Sequence, residues 1–312
     1  MSTRAKIDAH VHIVPAHLLG KTDRRFNVTI EPHGIKRFAD GSVYQFMPDD
    51  LPGSCYPVDS LIRSMDGMGI EKAVIMQSPC FSLNEEVSQA VQKYPGRLRG
   101  SMIIEPYGEK CLKDIEDCHG RGLTVMKFEM STGLGYTHPN MFPDLRFDSL
   151  LFERIWAKAE ELGITVTIDP STIGSKGYQV ERLDRMIQKF PDLRWVVCHL
   201  GFPFRGMRNN AEKYLRWKNM TALADHKNVW FDISALPVLF SQECYPFASA
   251  MEILGEFIEA HGADKPVWGS DIPGALCYGT YVQLADAFEG CPLFTGEQKD
   301  RIFHQNAHQA YF

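Results

Sequence analysis

Eight short runs of apolar and β-branched residues, separated by segments of helical length, most constrain what this chain can fold into. They fall at 6–13, 72–78, 98–105, 123–129, 165–169, 194–200, 229–234 and 266–271. Most are near-continuous, as in Ala73-Val74-Ile75-Met76 and Trp195-Val196-Val197-Cys198. A strand buried on both faces has no solvent side to alternate with, so such runs point to a parallel sheet covered by helices. The segments between them are amphipathic. In 149–162, Leu150, Leu151, Ile155, Trp156, Ala159 and Leu162 share one side, and Gly163 follows as a helix stop. Segments 178–190 and 247–260 behave alike. Eight strand–helix alternations without a break in composition predict an α/β fold, a (β/α)8 TIM barrel, with 1–312 forming a single domain.

One stretch breaks the rhythm. Residues 14–56 form a long excursion after the first strand, with Asn27-Val28-Thr29-Ile30 and Ser42-Val43-Tyr44-Gln45-Phe46 placed around Gly34 and Asp40-Gly41. This pattern predicts an inserted β-hairpin, and connections of this length commonly cover a site. It is expected to lie over the barrel mouth.

Bulk properties exclude several classes. A formal net charge of −6 and the absence of a basic cluster argue against nucleic acid as a partner. No apolar stretch approaches the length of a membrane span, and Met1–Lys6 runs into Ile7 without the apolar core of a secretion signal. The eight cysteines include no Cys-x-x-Cys pair, which disfavours a thiolate zinc site. Reduced thiols and a cytoplasmic location are the expectation.

In a barrel of this kind, reactive groups gather where the strands end. The first run ends in His10-Val11-His12, and two imidazoles two residues apart on a strand can face one ion. The fourth ends in Lys127 and Glu129, the fifth in Asp169, the sixth in His199 and the eighth in Asp271. Such convergence suits zinc, manganese or a similar divalent metal. Each residue alone has a plainer reading: His199 as a hydrogen-bonded core histidine, Asp271 as a cap, Lys127 as an ion-pair partner of Glu129 or Asp169. Their joint placement favours a site.

Asp8-Ala9-His10-Val11-His12, the run 195–201, Gly269-Ser270-Asp271-Ile272-Pro273 and Ile302–Ala307 together resemble the amidohydrolase-related family, which includes decarboxylases of aminocarboxymuconate semialdehyde and of resorcylates. The resemblance spans essentially the whole chain. It implies that His10 and His12 are metal ligands, that Asp271 is a ligand able to handle protons, and that His199 acts as acid/base. The fifth-strand ligand in that family is usually histidine, whereas this chain has Asp169 in Gly163-Ile164-Thr165-Val166-Thr167-Ile168-Asp169-Pro170. Asp169 either completes a His2Asp2 site for one divalent ion, zinc or manganese, or pairs with Lys127.

The leading expectation is therefore metal-dependent, non-oxidative decarboxylation of a small aromatic or unsaturated hydroxy acid, with His199 and Asp271 catalytic. Lys127, Glu129, Phe202 and Arg205 are expected to bind this organic acid, with Phe204 nearby. The alternatives are a hydrolase of an amide, lactone or carbon–carbon bond using the same residues, and a catalytically silent barrel. The resemblance also implies a possible homodimer.

Overall fold

All eight apolar runs form strands of one parallel sheet in the computed structural model, which describes residues 4–78, 80–130 and 135–312. Residues 1–3, 79 and 131–134, included in the single-domain expectation, lie outside the described residues. Counting every strand in chain order, the barrel comprises β1 (Lys6–Val11), β6 (Ile70–Ile75), β7 (Leu98–Met102), β8 (Val125–Glu129), β9 (Thr165–Asp169), β10 (Arg194–Val197), β11 (Val229–Asp232) and β12 (Pro266–Val267). Neighbours in that order are paired in parallel. The circle closes between β12 and β1 through Ala9 N to Trp268 O at 3.0 Å, Asp271 N to His10 O at 2.8 Å and His12 N to Ile272 O at 2.7 Å.

Helices intervene where the amphipathic segments predict, although in the first of them Leu150 is exposed and Phe152 is buried with Ile155, Trp156 and Ala159. Segment 149–162 forms the helix Leu150–Glu161, capped by the Ser149 side chain, and Gly163 takes the left-handed conformation at φ 66°. Segments 178–190 and 247–260 contain the helices Val180–Lys189 and Ala248–His261. Among the described residues, no helix is long and apolar enough to cross a membrane.

Two apolar layers follow from strand alternation. Ala73, Ile75, Phe128, Val166, Ile168, Val197 and Phe231 pack outward with the helices. Ile7, Ala9, Val74, Val125, Val196 and Val267 form an inner cluster with Ala307, Ala310 and Tyr311 of the C-terminal helix Asn306–Tyr311. Thr165 and Thr167 of β9 satisfy their hydroxyls there, against Ala310 O at 2.6 Å and Tyr311 Oη at 3.2 Å. That end of the barrel is filled, which leaves the opposite end for chemistry.

The excursion is more than a hairpin. It forms a four-stranded antiparallel sheet of β2 (Thr22–Asp23), β3 (Val28–Glu31), β4 (Ile35–Arg37) and β5 (Val43–Gln45). The two segments anticipated from sequence are β3 and β5, and they do not pair with each other. β4 lies between them, pairing with both. Its sequence, Ile35-Lys36-Arg37, is too short and charged to stand out by hydrophobic pattern.

Candidate active site

The first-strand histidines reach the barrel interior because β1 carries an extra residue. Asp8 pairs with Ala73 and Val11 with Ile75, so three steps on β1 match two on β6. Such a bulge reverses which alternate side chains face inward. Ile7 and Ala9 therefore point into the inner apolar cluster, and His10 and His12 follow on the same side above them. Asp8 is tied to the closing seam instead, accepting from Ser270 N at 2.9 Å and Tyr281 Oη at 2.7 Å. Burial pushes its carboxyl up to about 7.

Closure needs room at Gly269. A Cβ there would lie 2.7 Å from His10 Cβ and 2.9 Å from His10 N, so only glycine lets the chain after β12 approach β1 this closely. The chain then turns into the cavity at Asp271, which takes φ 61°. His199, Leu200 and Phe202 after β10 also take positive φ. For non-glycine residues such conformations cost roughly 1–3 kcal/mol each and gather where side chains must be aimed. They also explain why β10 stops at Val197, short of the end of the apolar run at 194–200.

His10 Nε2, His12 Nε2 and an Asp271 carboxylate oxygen come together at this mouth. His12 Nε2 is 3.1 Å and His10 Nε2 3.8 Å from Asp271 Oδ1, and the ligand atoms of all three lie within 4.8 Å of one another. On its other side, His10 Nδ1 meets Asp232 Oδ2 at 2.5 Å in a fully buried contact. A carboxylate at Nδ1 leaves Nε2 as the lone-pair nitrogen, the form a metal ligand requires. Burial and the Lys127 charge hold the His10 pKa well below its ordinary value, consistent with a neutral ring. Burial alone would raise Asp271, but the His12 hydrogen bond and surrounding imidazoles lower it, so it is ionised.

Asp169 stands apart from that cluster and beside His199. Its Oδ2 is 3.5 Å from His199 Nε2, while His199 Nδ1 is 3.0 Å from the Ser234 carbonyl. A carbonyl only accepts, so Nδ1 carries a proton, and the carboxylate favours a second proton on Nε2. Burial opposes that charge, yet Asp169, Asp232 and Asp271 together raise His199 to about 9. His199 is thus held as an imidazolium.

Lys127 and Glu129 of β8 line the same cavity, paired with each other at 3.1 Å, and Lys127 Nζ is 3.4 Å from His10 Nε2. Burial opposes the Lys127 charge, but Glu129 outweighs it and raises the pKa. Around the histidines the carboxylates of Glu129, Asp169, Asp232 and Asp271 outnumber the cations Lys127 and His199, which leaves an excess of negative charge there. Two imidazole nitrogens, one carboxylate and that excess fit one divalent cation.

The cavity measures about 300 Å³, a size for a small ligand. Ile13, Leu18, Ile30, Phe81, Phe202 and Leu239 give it apolar walls. Phe202 stands edge-on to His199 with ring centroids 5.2 Å apart. The inserted sheet contributes Ile30, Lys36 and Tyr44, and Phe46 follows β5. Arg205 is not among the lining residues; its half-exposed guanidinium lies by Gln242 O and Glu243. Phe204 packs partly buried against the outer core.

Sequence reasoning missed Asp232, Ser234 and Lys36. Asp232 had a readable signal, since it is an acidic residue inside the seventh apolar run, two positions before its end. Lys36 had none, sitting in a polar stretch far from any barrel strand.

A profile of the Amidohydrolase family matches residues 7–312. No curated protein matches the chain in sequence. Among solved structures, it is similar to a probable 2-pyrone-4,6-dicarboxylic acid hydrolase from Acinetobacter baumannii with citric acid bound, at 18% identity and TM-score 0.70, covering 98% of each chain. It is also similar to 4-oxalomesaconate hydratase LigJ from Rhodopseudomonas palustris, at 18% identity and TM-score 0.62, over 98% of this chain and 95% of that one. A third similar structure is 5-carboxyvanillate decarboxylase LigW from Sphingomonas paucimobilis, at 16% identity and TM-score 0.54, over 80% and 81%. At these identities the likeness is one of fold.

Proposed function

The chain belongs to the Amidohydrolase family, and from that premise we propose that it is a divalent-metal-assisted decarboxylase of a small aromatic or unsaturated hydroxy acid. The observation that carries this reading is His199, whose two ring nitrogens meet the Ser234 carbonyl and the Asp169 carboxylate at the edge of a mostly apolar cavity. Loss of carbon dioxide from an unsaturated carbon needs a proton delivered to that carbon, and a fixed imidazolium supplies one.

His10, His12 and Asp271 would hold zinc or manganese. When bound, the ion supplies a positive charge that orients the acid and offsets negative charge developing on its oxygens. Asp232 holds the His10 tautomer. Asp169 favours the charged form of His199, so the ring takes a proton back from solvent after each turnover. The apolar walls exclude water and strip the carboxylate of its hydration, which favours the neutral departing gas over the anion. Lys127 and Glu129 lie beside the bound acid, and Phe202 gives its ring a face.

Hydrolysis is the second reading, favoured by the ionised Asp271. A carboxylate base that takes a proton from attacking water, opposite an imidazolium that polarises a carbonyl, is an acid–base pair pushed apart in pKa. The hydrolase and hydratase named above cover more of this chain than the decarboxylase does. Incubating carboxyl-labelled hydroxybenzoic acids, and in parallel an aromatic lactone such as phthalide, with the metal-loaded protein in ¹⁸O-water separates the two. Labelled carbon dioxide with no ¹⁸O in the organic product supports decarboxylation; ¹⁸O in the product without carbon dioxide supports hydrolysis.

A further inference from the structure

The carboxylates at the barrel mouth each have a lysine or an imidazole beside them, whereas one cation of the inserted sheet has no carboxylate. Glu129 meets Lys127, Asp169 meets His199, Asp232 meets His10 and Asp271 meets His12. Lys36 of β4 lines the same cavity and has no carboxylate within 4.0 Å among the described residues. Its Nζ donates to Ser78 Oγ at 3.1 Å and lies 4.7 Å from the centre of the Phe46 ring. Neither partner carries a charge. An ammonium has three protons, so two donors remain without an acceptor among the described residues.

Strand alternation accounts for the placement. Arg37, the next residue, points the other way, exposed and paired with Glu31 at 2.7 Å. The sheet thus spends its outward cation on an internal ion pair and turns the inward one, half-buried, over an apolar wall that includes Ile30 and Phe46. An uncompensated cation beside apolar surface favours an incoming anion more than a solvated one does.

We propose that Lys36, held by Ser78, binds an ionised carboxylate of the substrate at the inserted-sheet wall, away from the group that reacts at His10, His12 and Asp271. A single lysine matches a singly charged carboxylate; a phosphate dianion would call for further donors. The residue that selects for the acid is therefore on the excursion, not on a barrel strand. This rests on the reading of the mouth as the site of an acid-processing enzyme, but its test does not need turnover.

The test uses 5-fluoroisophthalate, with two carboxylates, and 3-fluorobenzoate, with one, titrated into zinc-loaded protein and followed by ¹⁹F line broadening. Wild type is expected to bind the dicarboxylate about tenfold more tightly. Lys36→Met should bring the two affinities to within a factor of about two, and Lys36→Arg should keep most of the preference. A preference retained in Lys36→Met, no preference in wild type, or no binding of either acid at millimolar concentration overturns the assignment. Should the protein turn over no acid while Lys36→Met still abolishes the preference, the reaction assigned above fails and the Lys36 assignment stands.

Discussion

His10 Nδ1 sits 2.5 Å from Asp232 Oδ2, with both side chains fully buried, and this contact sets which nitrogen of His10 faces the cavity. Asp232 is itself fixed, because its Oδ1 accepts from Ser234 N at 2.6 Å. The same Ser234 supplies the carbonyl that binds His199. One strand end, at β11, thus orients both His10 and His199.

Asp232→Asn should lower divalent-metal affinity by about 10–100-fold, because an amide can present its N–H to Nδ1 and favour the wrong tautomer. Competition against a chromophoric chelator measures this directly. Wild-type affinity in the variant would remove Asp232 from the orienting role.

The His199–Asp169 pair predicts a pH dependence. With His199 raised to about 9, the proton donor is present below that pH and is lost as pH rises through it. Asp169→Asn removes the hydrogen-bonding charge, so the falling limb of kcat/KM should move to lower pH, toward the ordinary histidine value of about 6.5. A limb that stays in place would separate Asp169 from the acid.

Gly269→Ala places a methyl group 2.7 Å from His10 Cβ at the closing seam. The seam must open or His10 must shift, at a cost of about 1–3 kcal/mol in unfolding free energy. Denaturant titration reads the stability loss, and weakened metal binding should accompany it. An alanine variant with unchanged stability and affinity would mean that the seam tolerates more slack than its contacts imply.

Away from the site, Asp148 joins three arginines, at 2.7 Å from Arg182, 2.6 Å from Arg185 and 3.4 Å from Arg146. Burial would raise its carboxyl, but these bonds hold it well below the usual range. The stabilisation is complete above the unfolded value of about 3.9 and is lost as pH falls further. Asp148→Asn should cost roughly 1–2 kcal/mol at neutral pH, because the arginines are partly exposed and solvent screens the pairs. The gap to wild type should narrow in melts below about pH 4. A gap that is constant with pH would contradict the ion-pair account.

The barrel was legible in the sequence because burial on both faces writes each strand as an apolar run. The ends of those runs gave His10, His12, His199 and Asp271, which the structure gathers at one mouth. What periodicity could not convey was geometry at the ends. The bulge that turns His10 inward depends on register against β6, which leaves no mark in local composition. The positive φ at His199 and Leu200 ends β10 inside a run that still looks like strand, and the positive φ at Asp271 aims its side chain without any mark in the sequence. From sequence Asp169 fits either a metal ligand or a partner of Lys127, and in the structure its nearest ion-pair contact among the described residues is His199. Arg205 stands after β10, where an acid clamp is expected, yet its side chain lies outside the cavity, and Lys36 enters from β4, an inner strand of the inserted sheet that hydrophobic pattern does not mark.

Chemistry at this barrel mouth turns on whether His10, His12 and Asp271 hold a metal that the reaction needs. Elemental analysis of protein purified without chelator, combined with turnover before and after metal stripping, tests this most directly. The prediction is a single zinc or manganese ion per chain, lost in His12→Ala and Asp271→Asn, with activity abolished by stripping and restored by the ion. Full turnover of an acid by metal-free wild-type protein would contradict it.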